Sequence, residues 1–256
     1  MRRFRGTPVR AWLRYMSEYQ KFPEFFVTQP TPCPYLPGRS ERKLFTHITP
    51  DKPRAIVDGL LTNGFRRSQH VAYIPYCSGC QACVSVRVVA PEFELTRSLR
   101  RIQMRNHDIR AERRPAVPTA EQFALFRHYI DRRHAGGGMS DMGVLDFAGM
   151  VEDSMIDTLI VEYRLPPGQQ EPRGRLVGVA LQDRLSDGIS MVYSFFDPDL
   201  ATRSLGTYMI LESVLALGAQ PYLYLGYWIQ RSDKMSYKER FRPQEMLTAQ
   251  GWITRT

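Results

Sequence analysis

The apolar positions change their spacing along the chain, and the changes mark out its elements. Leu159 to Tyr163, Leu176 to Leu181, Ile189 to Phe196 and Tyr222 to Tyr227 are short apolar runs bounded by turn residues, which predicts strands. Ser186-Asp187-Gly188 lies between the second and third runs and is a hairpin signal. Leu165-Pro166-Pro167-Gly168 marks a loop. From about Arg203 to Leu217 the spacing turns helical, and a last helix is expected to begin near Asp233. Earlier in the chain, residues 11 to 19 read as a short helix with Trp12, Leu13 and Tyr19 inward. Pro30, Pro32, Pro34 and Pro37 then force an extended or turning path, because each proline fixes φ and disfavours helix just before it. Asp51 to Leu61 reads as a helix stopped at Gly64, followed by strands over Val71 to Tyr76 and Val84 to Ala90. Thr119 and Gln122 form a capping-box pattern, with Phe123, Phe126 and Ile130 at helical spacing after it. That helix is expected to reach about His134 and to end at the glycines 136–138.

In the C-terminal half the order is strand, hairpin, strand, Gly-containing turn, helix, strand, helix. It predicts an α+β fold around a mixed, largely antiparallel sheet, and it is also the order of a GNAT-like acyltransferase core. The expected organisation is an N-terminal lead over 1–24, a small Cys-containing N-terminal domain over 25–95, and a GNAT-like domain over 96–256. No internal repeat is visible.

Composition supports a folded chain. Of 256 residues 43% are hydrophobic and 24% charged, enough for a core and too little single-sign charge for disorder. Lys and Arg number 35 against 26 acidic residues, a net charge of +9, which favours polyanion partners, nucleic acid above all. Seven arginines between Arg97 and Arg114 either touch phosphates or cover a helix. No secretory signal follows the basic start, because Glu18, Lys21 and Glu24 interrupt it. The longest apolar runs stop well short of the roughly 20 residues that span a bilayer, so a soluble, cytoplasmic protein without membrane attachment is expected.

Three thiols stand two residues apart in Cys77-Ser78-Gly79-Cys80-Gln81-Ala82-Cys83, with Cys33 upstream. Such steps let thiolates converge on one ion, and Cys33 would complete a four-thiolate set for a structural zinc or a [4Fe–4S] cluster. Reduced thiols without metal are the alternative, and spacing does not separate zinc from a cluster.

The second constellation follows the strand that ends in Phe195-Phe196-Asp197-Pro198. Arg203-Ser204-Leu205-Gly206-Thr207-Tyr208 is an R-x-x-G turn into a helix, where backbone N–H groups can bind an acyl carrier's phosphates; a closely packed ordinary helix start is the alternative. Tyr224-Leu225-Gly226-Tyr227-Trp228, then Lys234, Tyr237 and Lys238, set aromatics beside cations, as stacking on a terminal adenine requires.

Taken together, the segments 32–39, 64–68, 77–87, 133–139, 195–208 and 224–238 resemble the bacterial aspartate/glutamate leucyltransferases, relatives of the arginyl-tRNA–protein transferases. The resemblance runs from about Phe25 to the C-terminus. It implies transfer of leucine from leucyl-tRNA to proteins beginning with Asp or Glu, marking them for degradation by the N-degron route. Metal or cluster binding is associated with the arginyl relatives.

The implied chemistry is aminolysis of an activated ester, for which positioning and oxyanion stabilisation suffice and no cofactor is required. His134 and Asp197 are the expected proton acceptors. Arg66 and Arg67, with Arg39 as a further candidate, are expected to hold the acceptor's carboxylate. Arg203, Gly206, Tyr208, Tyr227, Trp228, Lys234, Tyr237 and Lys238 are expected at the tRNA acceptor end. Arginyl transfer, acyl-CoA-dependent N-acetylation and a noncatalytic metal-dependent RNA-binding role are the competing readings.

Overall fold

The computed structural model describes residues 23–52, 54–133, 136–169, 171–230 and 232–255. The helix expected over 11–19 and the side chain of His134 lie outside them. Among the described residues the chain opens with four short strands, β1 (Phe26–Val27), β2 (Thr31–Pro32), β3 (Ser40–Glu41) and β4 (Lys43–His47). Helix α1 (Arg54–Thr62) and strands β5 (Arg66–Ser68) and β6 (Val71–Pro75) follow. A four-stranded sheet in the order β1-β4-β6-β5 results, with α1 pressing Val57 and Leu61 into the core between the sheets. The β2–β3 hairpin carries the proline-rich stretch as a two-stranded ribbon.

The rest of the chain adds β7 (Val84–Val89), α2 (Arg97–Arg105), β8 (Arg110–Pro115), α3 (Ala120–Arg133), α4 (Val144–Glu152), β9 (Thr158–Arg164), β10 (Leu176–Arg184) and β11 (Gly188–Phe196). Last come α5 (Leu205–Leu215), β12 (Tyr222–Trp228), β13 (Gln244–Thr248) and β14 (Gly251–Thr254). An eight-stranded sheet runs β14-β13-β7-β12-β11-β10-β9-β8, with β11 and β12 parallel and every other pair antiparallel. The fold is therefore the mixed, largely antiparallel α+β architecture that the pattern implies. β7, which precedes the expected boundary at 95, pairs with both β12 and β13 in the interior of this sheet.

Local causes are readable. The Thr119 hydroxyl accepts from the Gln122 N–H at 3.2 Å while the Gln122 amide oxygen accepts from the Thr119 N–H at 3.0 Å, a completed capping box at the start of α3. α5 is buried nearly all round and fills the space beside β10 to β12, as its continuous apolar sequence requires. α2 turns Leu99 and Ile102 inward and leaves Arg97, Arg100, Arg101 and Arg105 exposed, so half of the arginine-rich stretch is the solvated face of a helix. The remainder forms β8, an edge strand whose exposed arginines and terminal proline discourage pairing with another chain. The last predicted helix is a 3₁₀ segment over Asp233–Arg240. No helix of the described residues is long and apolar enough to cross a membrane.

Candidate active site

Strands β11 and β12 start as neighbours and then part. Their parallel pairing covers only Gly188↔Tyr222, Ile189↔Leu223 and Ser190↔Tyr224. Both strands carry a bulge just beyond that point. Against β10, Gln182 faces Met191 and Leu181 faces Tyr193, so Val192 is the extra residue. Against β7, Tyr224 faces Arg87 and Gly226 faces Val86, so Leu225 is the extra residue. Each bulge bends its strand and increases its twist, which opens the sheet between them. Gly226 takes the left-handed conformation (φ 72°) that this bulge requires.

The small sheet fills part of the opening. Arg66 reaches across from β5, and its guanidinium donates to the carbonyls of Met191 and Val192 and to Ser190 Oγ at 3.3 Å. A Cβ on residue 226 would stand 2.8 Å from Arg66 Cζ, so the absent side chain of Gly226 makes the seat for this arginine. What is left is a cavity of about 400 Å³. Arg66, Tyr73, Tyr193, Tyr227, Lys238 and three methionines (Met139, Met150 and Met235) are among the residues that line it. Among the described residues, no Asp, Glu or His lines it.

Lys238 is 7% exposed. Its ammonium donates to the Tyr227 carbonyl. Burial, and secondarily the positive Arg66, pushes its pKa down to about 7. The Tyr227 hydroxyl donates to the carbonyls of Gly64 (3.3 Å) and Tyr73 (3.1 Å), which ties β12 to the small sheet. Burial raises the phenols of Tyr193 and Tyr227 well above 10 and that of Tyr35 to about 12.

The other expected site residues are distributed around this cavity. Arg67, next to Arg66, makes a bidentate pair with buried Asp183 at 2.7 and 2.8 Å. Arg203 pairs bidentately with Asp108, at 2.7 and 2.9 Å, and the carboxyl of Asp108 is held below its ordinary range as a result. Gly206 packs against Phe196, where a Cβ would come within 2.9 Å of Cε1. Tyr208 is buried against Tyr163, and Trp228 donates to Glu239 under the guanidinium of Arg255. Asp197 is buried outside the cavity lining, caps the following turn through the Asp199 N–H at 2.9 Å, and is paired with Arg175. Lys234 and Tyr237 are exposed on the 3₁₀ segment whose Met235 and Lys238 face the cavity, and Arg39 is exposed in the loop before β3.

The fold gathers the four cysteines. All are half-buried, and the thiol of Cys83 is pushed up to about 11 by burial first and then by the charges Cys33, Cys77 and Cys80 would carry. Leu36 N–H donates to Cys33 Sγ at 3.4 Å and Arg42 N–H to Cys77 Sγ at 3.5 Å. Two of the thiols accept backbone N–H bonds, but the four sulfurs do not bring three ligand atoms within 4.8 Å of one another. Among the described residues, the one group of three potential ligand atoms within 4.8 Å is His128, Asp197 and Asp199, and its carboxylates already face Arg175 and Arg132.

Comparison with known proteins places this architecture. A family model described as the arginine-tRNA-protein transferase C terminus matches residues 121–248, and the corresponding N-terminus model matches residues 31–101. The chain belongs to the arginine-tRNA-protein transferase family. It is an aminoacyltransferase, and relatives within the family carry a narrower name. A protein of Bradyrhizobium sp. (strain ORS 278) called aspartate/glutamate leucyltransferase is 56% identical over 236 residues, covering 90% of this chain and 92% of the relative. Proteins of the same name are 53% identical in Xanthobacter autotrophicus (93% and 98% covered) and 52% identical in Brucella ovis (91% and 96% covered). Among solved structures, FemX aligns with 75% of this chain and 64% of its own at 11% identity and a TM-score of 0.44.

Most of the cavity was invisible to residue spacing. Tyr73, Met150, Val192 and Tyr193 come from three separate segments and carry no local motif, while Tyr35 and Met139 lie in segments that carry the family resemblance without any sign of this cavity. The signal that was present is Gly226 inside a strand pattern, which marks a bulge or a close approach.

Proposed function

We propose that this transferase moves leucine from leucyl-tRNA to the N-terminal amine of cytoplasmic proteins that begin with Asp or Glu, and that the cavity between β11 and β12 receives the acceptor's N-terminus. The observation that carries the assignment is the inward-facing guanidinium of Arg66, with the amine of Lys238 beside it, on a wall that has no carboxylate among the described residues. Such a wall favours an anionic side chain, and a guanidinium already fixed by backbone carbonyls meets it without losing further freedom. Arg67 positions Arg66 by locking β5 onto Asp183, and Arg39 offers a second cation to the acceptor chain.

The donor end approaches from the 3₁₀ segment. Exposed Tyr237 suits stacking on the terminal adenine and exposed Lys234 suits its phosphates. Tyr227 and Trp228 support that wall from beneath. Met139, Met150 and Met235 give the leucyl side chain an adaptable apolar surface. Arg203, Gly206 and Tyr208 shape the turn into α5. Attack by the acceptor amine on the ester needs alignment, which the fixed side chains around the cavity would supply. Cys33, Cys77, Cys80 and Cys83 would hold a zinc ion or a [4Fe–4S] cluster, whose contribution there is to fold stability between the two sheets. The products are expected to enter N-degron degradation.

Labelled leucyl-tRNA, arginyl-tRNA and acetyl-CoA, each offered with a peptide beginning with Asp, separate the readings. Leucine transfer is expected. Transfer from arginyl-tRNA or acetyl-CoA alone, or RNA binding without transfer, overturns the proposal. Metal analysis of anaerobically purified protein tests the cysteines: zinc plus iron below about a tenth of an equivalent removes the metal site.

A further inference from the structure

Lys238 is a buried amine with no carboxylate paired to it among the described residues. Its side chain lies against the cavity, and its Nζ donates a hydrogen bond to the Tyr227 carbonyl. From β5 it faces Arg66, from β6, β11 and β12 the phenols of Tyr73, Tyr193 and Tyr227, from the loop after β2 Tyr35, and from its own turn the Tyr237 ring at 5.9 Å. The raised phenols of Tyr193 and Tyr227 stay protonated at neutral pH, so neither supplies a negative charge. Buried lysines elsewhere in proteins keep a carboxylate partner or lose their proton. Here, with no carboxylate among the described residues of the cavity wall, a substantial share of the amine is neutral at neutral pH, and Lys238 borders the cavity.

The acceptor arrives with the opposite need. Its α-amine, with an ordinary pKa of about 8, is mostly an ammonium at neutral pH and cannot attack until a proton leaves. We propose that Lys238 is the proton acceptor of the reaction: its neutral amine takes one proton from the acceptor's α-ammonium while Arg66 holds the acceptor's acidic side chain. This rests on the cavity being the acceptor site. The freed α-amine lone pair forms the bond to the ester carbonyl carbon, and the tetrahedral adduct expels the ribose oxygen. The adduct nitrogen's surplus proton passes to that oxygen, leaving an amide and a ribose hydroxyl. The reaction thus releases one net proton, which Lys238 carries until the product departs and then gives to water.

Arg66 makes the step depend on the substrate. In the empty site its positive charge helps to keep Lys238 unprotonated. An acidic side chain docked on Arg66 cancels that charge and raises the proton affinity of Lys238 when the α-ammonium stands beside it. A neutral N-terminal residue leaves the affinity low. The acidity of the first residue therefore acts on the rate of the chemical step as well as on binding.

The test is single-turnover transfer from pre-bound leucyl-tRNA to an Asp-initiated peptide across pH 5.5 to 9.5, roughly the range that spans both titrations. Wild type should rise with an inflection near 7. Lys238→Met should be slower by about 100-fold or more, lose that inflection and rise instead through the acceptor's own titration near 8. Its peptide KM should change by no more than about threefold, and added methylamine should restore part of the rate. Lys238→Arg, which keeps the charge but cannot accept a proton, should be as slow as Lys238→Met. Retention of wild-type rate by Lys238→Arg, or an unchanged pH profile in Lys238→Met, overturns the proton-acceptor role. If Arg66→Ala still weakens the acidic acceptor in that case, the cavity remains the acceptor site and only the role of Lys238 fails. If neither variant alters acceptor kinetics, both ideas fall. Unfolding curves and leucyl-tRNA affinity establish that each variant is folded.

Discussion

Arg66 and Arg67 are consecutive residues of β5 and leave it on opposite faces. On one face Arg67 meets Asp183, with both side chains about 1% exposed. Similar buried pairs recur elsewhere: Arg164 with Glu162, Arg87 with Glu245. On the other face Arg66 reaches toward Lys238 in a cavity that Arg67 also borders and that has no carboxylate among the described lining residues. Both regions hold an arginine drawn in from β5, buried at Arg67 and partly buried at Arg66. A paired cation completes the fold, because its partner is in the chain. An unpaired cation at a cavity is complete only when something outside the chain brings the charge.

The sharpest way to break that comparison is Arg67→Ala. It leaves Asp183 buried without its cation, and stability should fall by about 3–5 kcal/mol in denaturant unfolding, with a melting temperature lower by on the order of 10 °C. Equal loss from Arg66→Ala would erase the distinction between the two faces. Lys238→Met should act in the opposite sense. With a folded pKa of about 7 against an ordinary 10.5, the burial cost of the wild-type ammonium is fully present below pH 7 and is relieved as pH rises towards 10.5. The variant should therefore melt higher than wild type below pH 7, and the gap should close above it. A gap independent of pH would mean that the amine is not carrying the charge cost.

Kinetics sharpen the comparison further. Arg66→Ala should lower kcat/KM for an Asp-initiated peptide by about 30- to 100-fold, the worth of about 2–3 kcal/mol for a lost charged hydrogen bond, with tRNA affinity unchanged. Gly226→Ala should give a milder form of the same defect, about tenfold, because the new Cβ evicts the guanidinium and strains a left-handed residue. The smallest effect belongs to exposed Lys234. Lys234→Ala should raise the KM for leucyl-tRNA by about two- to fivefold and shallow its salt dependence, leaving peptide KM alone.

Fold legibility tracked how local the cause was. The capping box at Thr119, the hairpin at Asp187 and the strands from Leu159 to Tyr227 are set by neighbours within a few residues, and they stand where periodicity puts them. The strands β8, β13 and β14 were not evident, because their charged and polar residues pattern only against partners far along the chain. Among site residues, the divergence of Arg66 and Arg67 had no local sign: strand alternation separates their faces, but only the placement of Asp183, Met191 and Val192 says which face holds a partner. Lys238, expected beside phosphate, is instead enclosed with Arg66 in the cavity wall.

By itself the sequence determined the α+β class, the run of elements through the large sheet, the thiol cluster and the family, since these rest on periodicity, turn chemistry and contiguous motifs. The tertiary structure decided where the chemistry sits. Two bulges part β11 from β12, a strand more than a hundred residues away sends Arg66 into the gap, and the surrounding walls settle which cations find a carboxylate. Charge state and availability depend on burial and on partners brought together by folding, and neither quantity is written in the spacing of residues along a chain.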